Sequence, residues 1–193
     1  MEILATLGRT LGFSLAAGVN LYATVAVLGL AARFNWVQLP AQFQAFNHPW
    51  VIAAAAVLYL IEFVADKIPW VDSVWDSVHT VIRPVGGALI AVAALGETSP
   101  TVTGLIALLG GTVAAGSHMT KAGTRVAINT SPEPFTNWFA SLAEDAFVIG
   151  LSLLTLKFPL LALAVSLAIV VMIVWLARRL WRWLRPDDGA QSA

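Results

Sequence analysis

Long apolar stretches alternate with short polar breaks along most of this chain, and this pattern predicts membrane-spanning helices. A spanning helix needs about 20 predominantly apolar residues, and fewer where other helices shield it. Proline-containing breaks such as Thr98-Ser99-Pro100 and Lys157-Phe158-Pro159 separate the stretches. The six predicted spans are residues 11–32, 50–65, 84–96, 102–116, 138–156 and 160–177. The predicted fold class is therefore all-α, an integral membrane bundle of about six transmembrane helices.

Two polar stretches interrupt the apolar pattern, and each places its charges on one helical stripe. Pro69 breaks the chain, so a short helix is predicted to begin near Trp70. On this helix Asp72, Asp76, His79 and Arg83 are spaced i, i+4, i+7 and i+11. In the second stretch His118, Lys121, Arg125 and Asn129 are spaced i, i+3, i+7 and i+11. The first segment is predicted to be amphipathic, and either interfacial or re-entrant.

Ionisable side chains near hydrocarbon usually mark a functional interior or pathway. If the two stripes pack together, we expect Asp72 or Asp76 to pair with Lys121 or Arg125. Carboxylates inside the fifth span need a proton, a cation or a basic partner. The residues predicted to form a substrate or ion pathway are Glu62, Asp66, Lys67, Asp72, Asp76, His79, Arg83, His118, Lys121, Arg125, Glu133, Glu144 and Asp145.

The composition supports a membrane protein and excludes several other classes. Hydrophobic residues make up 59% of the chain and charged residues only 11%, against about 25% charged in a soluble domain. The formal net charge is zero, which argues against a nucleic-acid partner. Because the chain has no cysteine, disulfides, thiolate metal sites and cysteine nucleophiles are excluded.

Basic residues predict the orientation of the bundle. With six spans, nine lysines and arginines fall on one side and two, Arg33 and Lys157, on the other, so the positive-inside rule predicts cytoplasmic termini and the inner membrane. Residues 1–185 are predicted to form a single membrane domain, and residues 186–193 a flexible tail. The basic, tryptophan-rich segment 178–185 is predicted to be an interfacial anchor in the lipid bilayer, attracted to anionic lipid.

The polar stretches hold seven acids against four permanent cations, which leaves room for protons or a divalent metal. The candidate metal ligands are Asp72, Asp76, His79 and His118, since carboxylates with histidines suit Mg²⁺, Mn²⁺ or Zn²⁺. Their spacing matches no metal signature, and the chain has no P-loop, GxSxG or HExxH motif. We therefore predict no catalytic residue, and the cofactor stays open.

Four sequence motifs connect this chain with a known family: Gly18-Val19-Asn20-Leu21-Tyr22, Glu62-Phe63-Val64-Ala65-Asp66-Lys67-Ile68-Pro69, Trp75-Asp76-Ser77-Val78-His79 and Ser131-Pro132-Glu133-Pro134. In these residues the chain resembles domain-of-unknown-function family 4126, a family of small bacterial multi-pass membrane proteins. The resemblance covers residues 11–156. It implies a compact integral membrane protein and supplies no catalytic residues to carry over.

Three functions are compatible with these observations. The first is a small transporter or channel-like protein, in which carboxylates and histidines exchange protons and Lys121 and Arg125 hold a small ion or an anionic substrate. The second is a metal-dependent membrane enzyme acting on a lipid or phosphate-bearing substrate. The third is a structural or assembly protein whose charges hold helices together. Because six short spans are few for a transporter, a homodimer is a further expectation.

Overall fold

The computed structural model describes residues 1–130 and 134–184. These residues form seven α-helices and one 3₁₀ helix and contain no strand, which confirms the all-α prediction. The α-helices are α1 Glu2–Val19, α2 Leu21–Arg33, α3 Pro49–Ala65, α4 Pro69–Leu95, α5 Pro100–Asn129, α6 Pro134–Lys157 and α7 Pro159–Leu184, and the 3₁₀ helix is Ala41–Asn47. The predicted flexible tail, 186–193, and the candidate Glu133 lie outside the described residues.

Proline marks the start of every helix from α3 to α7. At the first helical position the missing N–H of proline would have had no partner inside the helix, and its fixed φ angle suits helical geometry. Ser99 caps α5 by accepting a hydrogen bond from the Val102 N–H at 3.4 Å. The chain can therefore turn sharply between long helices with very short connections.

Four helices are long and apolar enough to cross a membrane: α4, α5, α6 and α7. The 3₁₀ helix and α3 pass the same test together but are bent by 66°, as expected for a broken span or a re-entrant loop. The described residues thus provide four or five spans, compared with the six predicted. The protein is a helical, multi-pass membrane bundle.

The predicted first span, 11–32, is not one helix but a hairpin that reverses at Asn20. The Asn20 backbone is extended, with φ −147° and ψ 100°, and it separates α1 from α2. On either side of this break, Phe13 from α1 and Leu28 from α2 belong to one apolar cluster with Ile90 of α4. The two helices therefore run back along each other, and α1–α2 enters the bundle without crossing it. Hydropathy alone cannot detect this reversal, because both arms are equally apolar.

The reversal changes the predicted topology. Met1 lies beside Pro159 at the turn between α6 and α7. From Pro159 the 26 residues of α7 extend about 39 Å to Leu184 at the other end of the bundle. The two ends of the described chain therefore lie at opposite ends of the bundle. This disagrees with the prediction of both termini on one side, which followed from an even number of spans.

Helices α4 and α5 form an antiparallel pair along the centre of the bundle. The prediction of a separate span starting at Pro84 is wrong, because α4 continues through this proline from Pro69 to Leu95. Small residues let the two backbones approach closely, and a side chain at Gly87 or Gly110 would meet Ala114 or Ala91 of the facing helix. We call the part of the α4–α5 pair built from Gly87, Ala91, Gly110 and Ala114 the packed half.

Candidate functional site

The other half of the α4–α5 pair brings most of the predicted site residues together. The charged cluster, as we name it, consists of Glu62, Asp66, Asp72, Asp76, His79, Arg83, His118, Lys121, Arg125, Glu144 and Asp145. All of these side chains are buried except that of Glu144, which is 18% exposed. Lys67 lies at the edge of the cluster, half-buried.

Local sequence explains why so many charges meet. Helix α3 ends at Ala65, Asp66 caps it, and Pro69 starts α4 after a single tight turn. This places the acidic end of α3 beside the acidic first turns of α4. Since α5 runs antiparallel to α4, its basic residues return to the same level. The first predicted stripe lies on the buried face of α4, and His118, Lys121 and Arg125 of the second lie on the buried face of α5, whereas Asn129 is half-buried.

Arg83 lies at the centre of the cluster and is fully buried. Its Nη2 donates to Glu62 Oε1 at 2.7 Å. Its Nη1 donates to His118 Nδ1 at 2.7 Å and lies 3.1 Å from Asp76 Oδ1. The same nitrogen is 3.5 Å from the Gly18 carbonyl oxygen near the tip of the α1–α2 hairpin. One guanidinium therefore connects α3, α4, α5 and the hairpin.

Lys121 of α5 is surrounded by carboxylates. Its Nζ lies 3.1 Å from Asp66 Oδ2, 3.3 Å from Glu62 Oε1 and 3.5 Å from Glu144 Oε2. An ammonium group has three N–H donors. Glu62 and Asp66 accept hydrogen bonds from two of these donors, and Glu144 lies within ion-pair distance, so carboxylates of α6 and of the C-terminal end of α3 hold Lys121 in place.

Arg125, one helical turn further along α5, joins α6 to the cluster. Its Nη2 lies 3.0 Å from Glu144 Oε2 and 3.2 Å from Asp66 Oδ2, and its Nη1 donates to Asn137 Oδ1 at 2.9 Å. Asp72 Oδ1 is 4.0 Å from Arg125 Nε, so the expected pairing of Asp72 with Arg125 is present but long.

The expected pairing of Asp76 with Lys121 or Arg125 is wrong, since Asp76 pairs with Arg83 of its own helix. The seven-residue spacing of Asp76 and Arg83 places both on one stripe, and the long arginine side chain reaches back to the carboxylate. Asp72 receives its hydrogen bond from Asn129 Nδ2 at 2.9 Å. Asn129 in turn accepts one from Asn137 Nδ2 at 2.8 Å.

In both histidines of the cluster, His79 and His118, each ring nitrogen forms a hydrogen bond with another residue. His118 Nδ1 accepts from Arg83, so its proton lies on Nε2, which is 3.1 Å from Thr80 Oγ1. His79 Nδ1 donates to the Trp75 carbonyl at 2.7 Å, and its Nε2 is 2.9 Å from the Tyr22 hydroxyl. These bonds assign His118 the neutral tautomer with its proton on Nε2, and they place a proton on His79 Nδ1.

The proposed metal ligands do not converge. Among the described residues, no group of three or more histidine, aspartate or glutamate side chains is arranged to hold a metal ion. His79 contacts the Tyr22 hydroxyl, and His118 contacts the Thr80 hydroxyl and Arg83. Neither histidine is directed at the carboxylate of Asp72 or Asp76. The donor set therefore does not fit a divalent-metal centre of the kind considered from the sequence.

Several carboxylate oxygens in the cluster are buried without a hydrogen bond from any described residue: Glu62 Oε2, Asp66 Oδ1, Asp72 Oδ1, both oxygens of Asp76, and Asp145 Oδ2. Asp76 Oδ1 is close to Arg83 Nη1 but out of line for a hydrogen bond. Buried polar atoms normally have partners, so each exception needs an explanation.

Large apolar side chains are exposed on the outside of the bundle at the level of the charged cluster, next to small hydroxyl side chains such as Ser73 and Ser77. On α4, Val74 and Val78 are exposed at the level of Asp76, and on α5, Met119 and Val126 flank Lys121 and Arg125 in the same way. In water such a distribution would be inverted. Charged side chains inside and large apolar side chains outside are the arrangement expected of a helical bundle that faces lipid.

Sequence reasoning missed the contribution of the hairpin tip. Asn20 caps α2 by accepting from the Ala23 N–H at 2.9 Å, and its Nδ2 is 3.4 Å from Asp145 Oδ1. Tyr22 contacts His79. A buried asparagine followed by tyrosine inside an apolar stretch was the available signal, because such residues need polar partners in lipid.

Lys67 and Ser141 form the edge of the site. Lys67 Nζ donates to the Phe63 carbonyl at 2.7 Å and to Ser141 Oγ at 3.2 Å, and it lies 3.1 Å from the Phe63 ring centroid. Partial burial lowers the pKa of the Lys67 ammonium from its ordinary value. Lys67 therefore contacts the cluster from its rim and is not one of its core ion pairs.

The fold and this cluster define a multi-pass helical membrane protein with a buried network of ion pairs. Comparison with family models gives a match over residues 7–179 to the family described as domain of unknown function (DUF4126). The match covers most of the chain, and the protein belongs to this family. No curated protein and no solved structure matches the chain.

Proposed function

We propose that the protein is a small membrane transporter or channel-like protein that moves protons or a small cation through the charged cluster. The observation that carries this proposal is the excess of carboxylates. The cluster contains six carboxylates and three cations, Arg83, Lys121 and Arg125, so three negative charges have no counterion, or two if Lys67 at the rim is included. His118 is neutral and does not change this count, and a proton on His79 Nε2 would lower it by one.

Such an excess is costly in a low-dielectric interior. An isolated buried carboxylate is neutralised by a proton or a bound cation in preference to remaining charged. The unpartnered oxygens of Asp76 and Asp145 are the positions where a proton or cation would be held. Groups that bind and release such a charge within the bilayer are what a proton or cation pathway requires.

Asp76 is the best candidate for the exchanging group. Neither of its oxygens accepts a hydrogen bond from a described residue, and its side chain is 6% exposed. Arg83 lies beside it and also binds Glu62 and His118. A change in the charge of Asp76 would therefore alter the partners that Arg83 selects and connect ion binding with the packing of three helices.

A flux assay tests the proposal. Purified protein is reconstituted in vesicles of phosphatidylethanolamine and phosphatidylglycerol that contain a pH-sensitive dye, and a potassium diffusion potential drives proton entry; parallel vesicles carry sodium or potassium gradients. We expect one of these fluxes in the wild type and a loss of at least about tenfold in Asp76→Asn. Glu97→Gln is the matched control, because Glu97 is exposed in the α4–α5 turn. Equal flux in wild type and Asp76→Asn would contradict the assignment.

We further propose that the protein resides in the inner membrane with the end that carries the last turns of α7 in the cytoplasm. Arg178, Arg179 and Arg182 lie exposed at this end, which favours the cytoplasmic side. Because the chain has no cysteine, single cysteines can report the orientation. In intact cells, a membrane-impermeant maleimide should label Glu97→Cys and spare Arg182→Cys. The reverse labelling would overturn the orientation.

A further inference from the structure

A cleft of about 340 Å³ opens between α5, α6 and α7 and leads to the charged cluster. Helix α7 packs mainly on α1 and only lightly on α5, which leaves this gap. The volume falls in the range of about 300–1,000 Å³ that is common for small-molecule sites. Phe147, Ile169, Met172 and Ile173 form its apolar wall, and Lys121 and Glu144 lie at its inner end.

The hydroxyl groups that line the cleft offer acceptors and no free donor. The Ser117 hydroxyl donates to the Leu15 carbonyl at 2.9 Å. The Thr120 and Thr124 hydroxyls donate to backbone carbonyls one turn earlier, at 2.8 and 2.9 Å. With the hydroxyl protons used in this way, each oxygen presents only lone pairs to the cleft. A ligand that binds here must therefore supply the donors.

The carboxylates at the inner end of the cleft add further hydrogen-bond acceptors. Lys121 donates hydrogen bonds to Glu62 and Asp66, away from the cleft, and its charge is paired with these carboxylates and with Glu144 at 3.5 Å. Glu144 is the one cluster carboxylate with appreciable exposure, 18%, and no described residue donates a hydrogen bond to its Oε1. The cluster as a whole carries excess negative charge. A cationic donor is therefore complementary to this end of the cleft, and an anion is not.

We infer that the cleft binds an amphiphilic ammonium compound that enters from the bilayer. Its N–H donors would contact Glu144, Thr120 and Thr124, and its alkyl chain would lie along Met172 and Ile173 of α7. This inference deepens the proposed function and rests on it, since it names an organic cation as the substrate class of the same cluster. It adds a lateral route, with apolar walls, for a substrate that is concentrated in lipid.

Binding of decylammonium tests the inference. A dansyl-labelled decylammonium probe is added to the wild-type protein in lipid nanodiscs, energy transfer from tryptophan reports binding, and unlabelled decylammonium, decyl sulfate and decanol compete. We expect competition by the ammonium compound alone. Competition by the sulfate or the alcohol that equals that of the ammonium compound would overturn the inference.

Four variants, one of them a control, locate the site. Thr120→Val with Thr124→Val removes two acceptors at nearly constant shape, and we expect about tenfold weaker binding from the loss of their hydrogen bonds. Met172→Phe fills the cleft and should abolish binding, whereas Val171→Phe, whose position is exposed and does not line the cleft, should not. Glu144→Gln should weaken binding at least about tenfold, and the other variants keep the test valid if this one fails to fold. Equal binding by Met172→Phe and wild type would contradict the assignment.

The outcomes separate the two proposals. If flux depends on Asp76 in vesicles without amine while decylammonium does not bind, the cleft inference fails and the proposed function stands. If decylammonium binds in the cleft while wild-type vesicles show no proton, sodium, potassium or decylammonium flux, the binding site stands and the transport proposal fails.

Discussion

The packed half and the charged cluster occupy the same two helices but are held together by opposite means. In the packed half, Gly87 and Gly110 bring α4 and α5 into backbone contact, and Ser14 of α1 donates to the Gly87 carbonyl at 3.4 Å. In the cluster, the same stripes carry Arg83, Lys121 and Arg125 paired with carboxylates. The stripe is continuous along each helix, and its chemistry changes near Arg83.

This difference suggests that the packed half mainly stabilises the fold and that the charged cluster serves the proposed function. Small residues give close packing in lipid without any polar atom to satisfy. Buried ion pairs contribute little net stability compared with apolar packing, because desolvation offsets their attraction. The cluster is therefore an expensive way to hold helices together. Its unpartnered oxygens and excess charge are better explained by ion binding than by a structural role.

Removal of the central cation should have the largest effect on stability. Arg83→Met leaves Asp76 buried without its partner and Glu62 with Lys121 alone, and we expect a loss of about 3–5 kcal/mol in the free energy of unfolding. Thermal unfolding in detergent, followed by circular dichroism, measures it. Adding Glu62→Gln should recover part of the loss, while Lys67→Met at the rim should change stability by less than about 1 kcal/mol. If Arg83→Met left the free energy of unfolding unchanged, Arg83 would not be the central cation of the network.

Overfilling the packed half should have the next largest effect. In Gly110→Ala the new methyl group meets Ala91 of α4, and we expect a loss of about 1–3 kcal/mol. Gly104→Ala on the same helix is the matched control, because an added methyl group there meets nothing within 4 Å. This control should be neutral, or more stable by up to about 1 kcal/mol from helix propensity. Equal effects of the two variants would show that α4 and α5 are not in close contact.

The hairpin tip should contribute less. Asn20→Ala removes the N-cap of α2 and the contact with Asp145, and we expect a loss of about 1–2 kcal/mol. Ser99→Ala removes a longer, exposed cap bond and should lose less than Asn20→Ala. Chemical denaturation of both variants in the same detergent tests the order. If Ser99→Ala is the more damaging change, the tip does not hold the two arms in place.

Neutralising Asp76 should have the smallest effect on stability. Asp76→Asn keeps the shape and removes one carboxylate from a cluster with more carboxylates than cations, and Arg83 keeps Glu62 as a partner, so we expect a change within about 1 kcal/mol, or a slight gain. The same variant should lose flux. Gly110→Ala in the packed half should therefore lower stability, and Asp76→Asn in the charged cluster should lower flux. This combination distinguishes the two regions. A large loss of stability in Asp76→Asn would favour a structural role for the cluster.

Much of this organisation could be predicted from the sequence, and the reasons are physical. The spacing of Asp72, Asp76, His79 and Arg83 fixes them on one helical face whatever surrounds it, and burial of that face follows from the cost of charge in lipid. The choice of partners could not be predicted, because it depends on the relative height of α4 and α5, which the close contacts in the packed half set. Asp76 therefore meets Arg83 and not Lys121.

The α1–α2 hairpin shows where sequence reasoning ends. Residues 11–32 have the length and hydropathy of one span, and only Asn20 and Tyr22 mark the reversal. A periodic pattern shows which face of a helix is buried but not whether the chain continues straight or reverses. The continuity of α4 through Pro84 is a second example, since proline bends or ends most helices but is tolerated where neighbouring helices pack around it.

The central claim is that the buried carboxylates outnumber their cations and hold protons or a cation. Infrared spectroscopy of the wild type and Asp76→Asn in lipid, at neutral pH and without sodium or potassium, tests it directly. We predict a protonated carboxylic acid band in the wild type that weakens in the variant and decreases as the competing small cation is added. The absence of this band, together with the absence of any bound small cation in the same sample, would contradict the account.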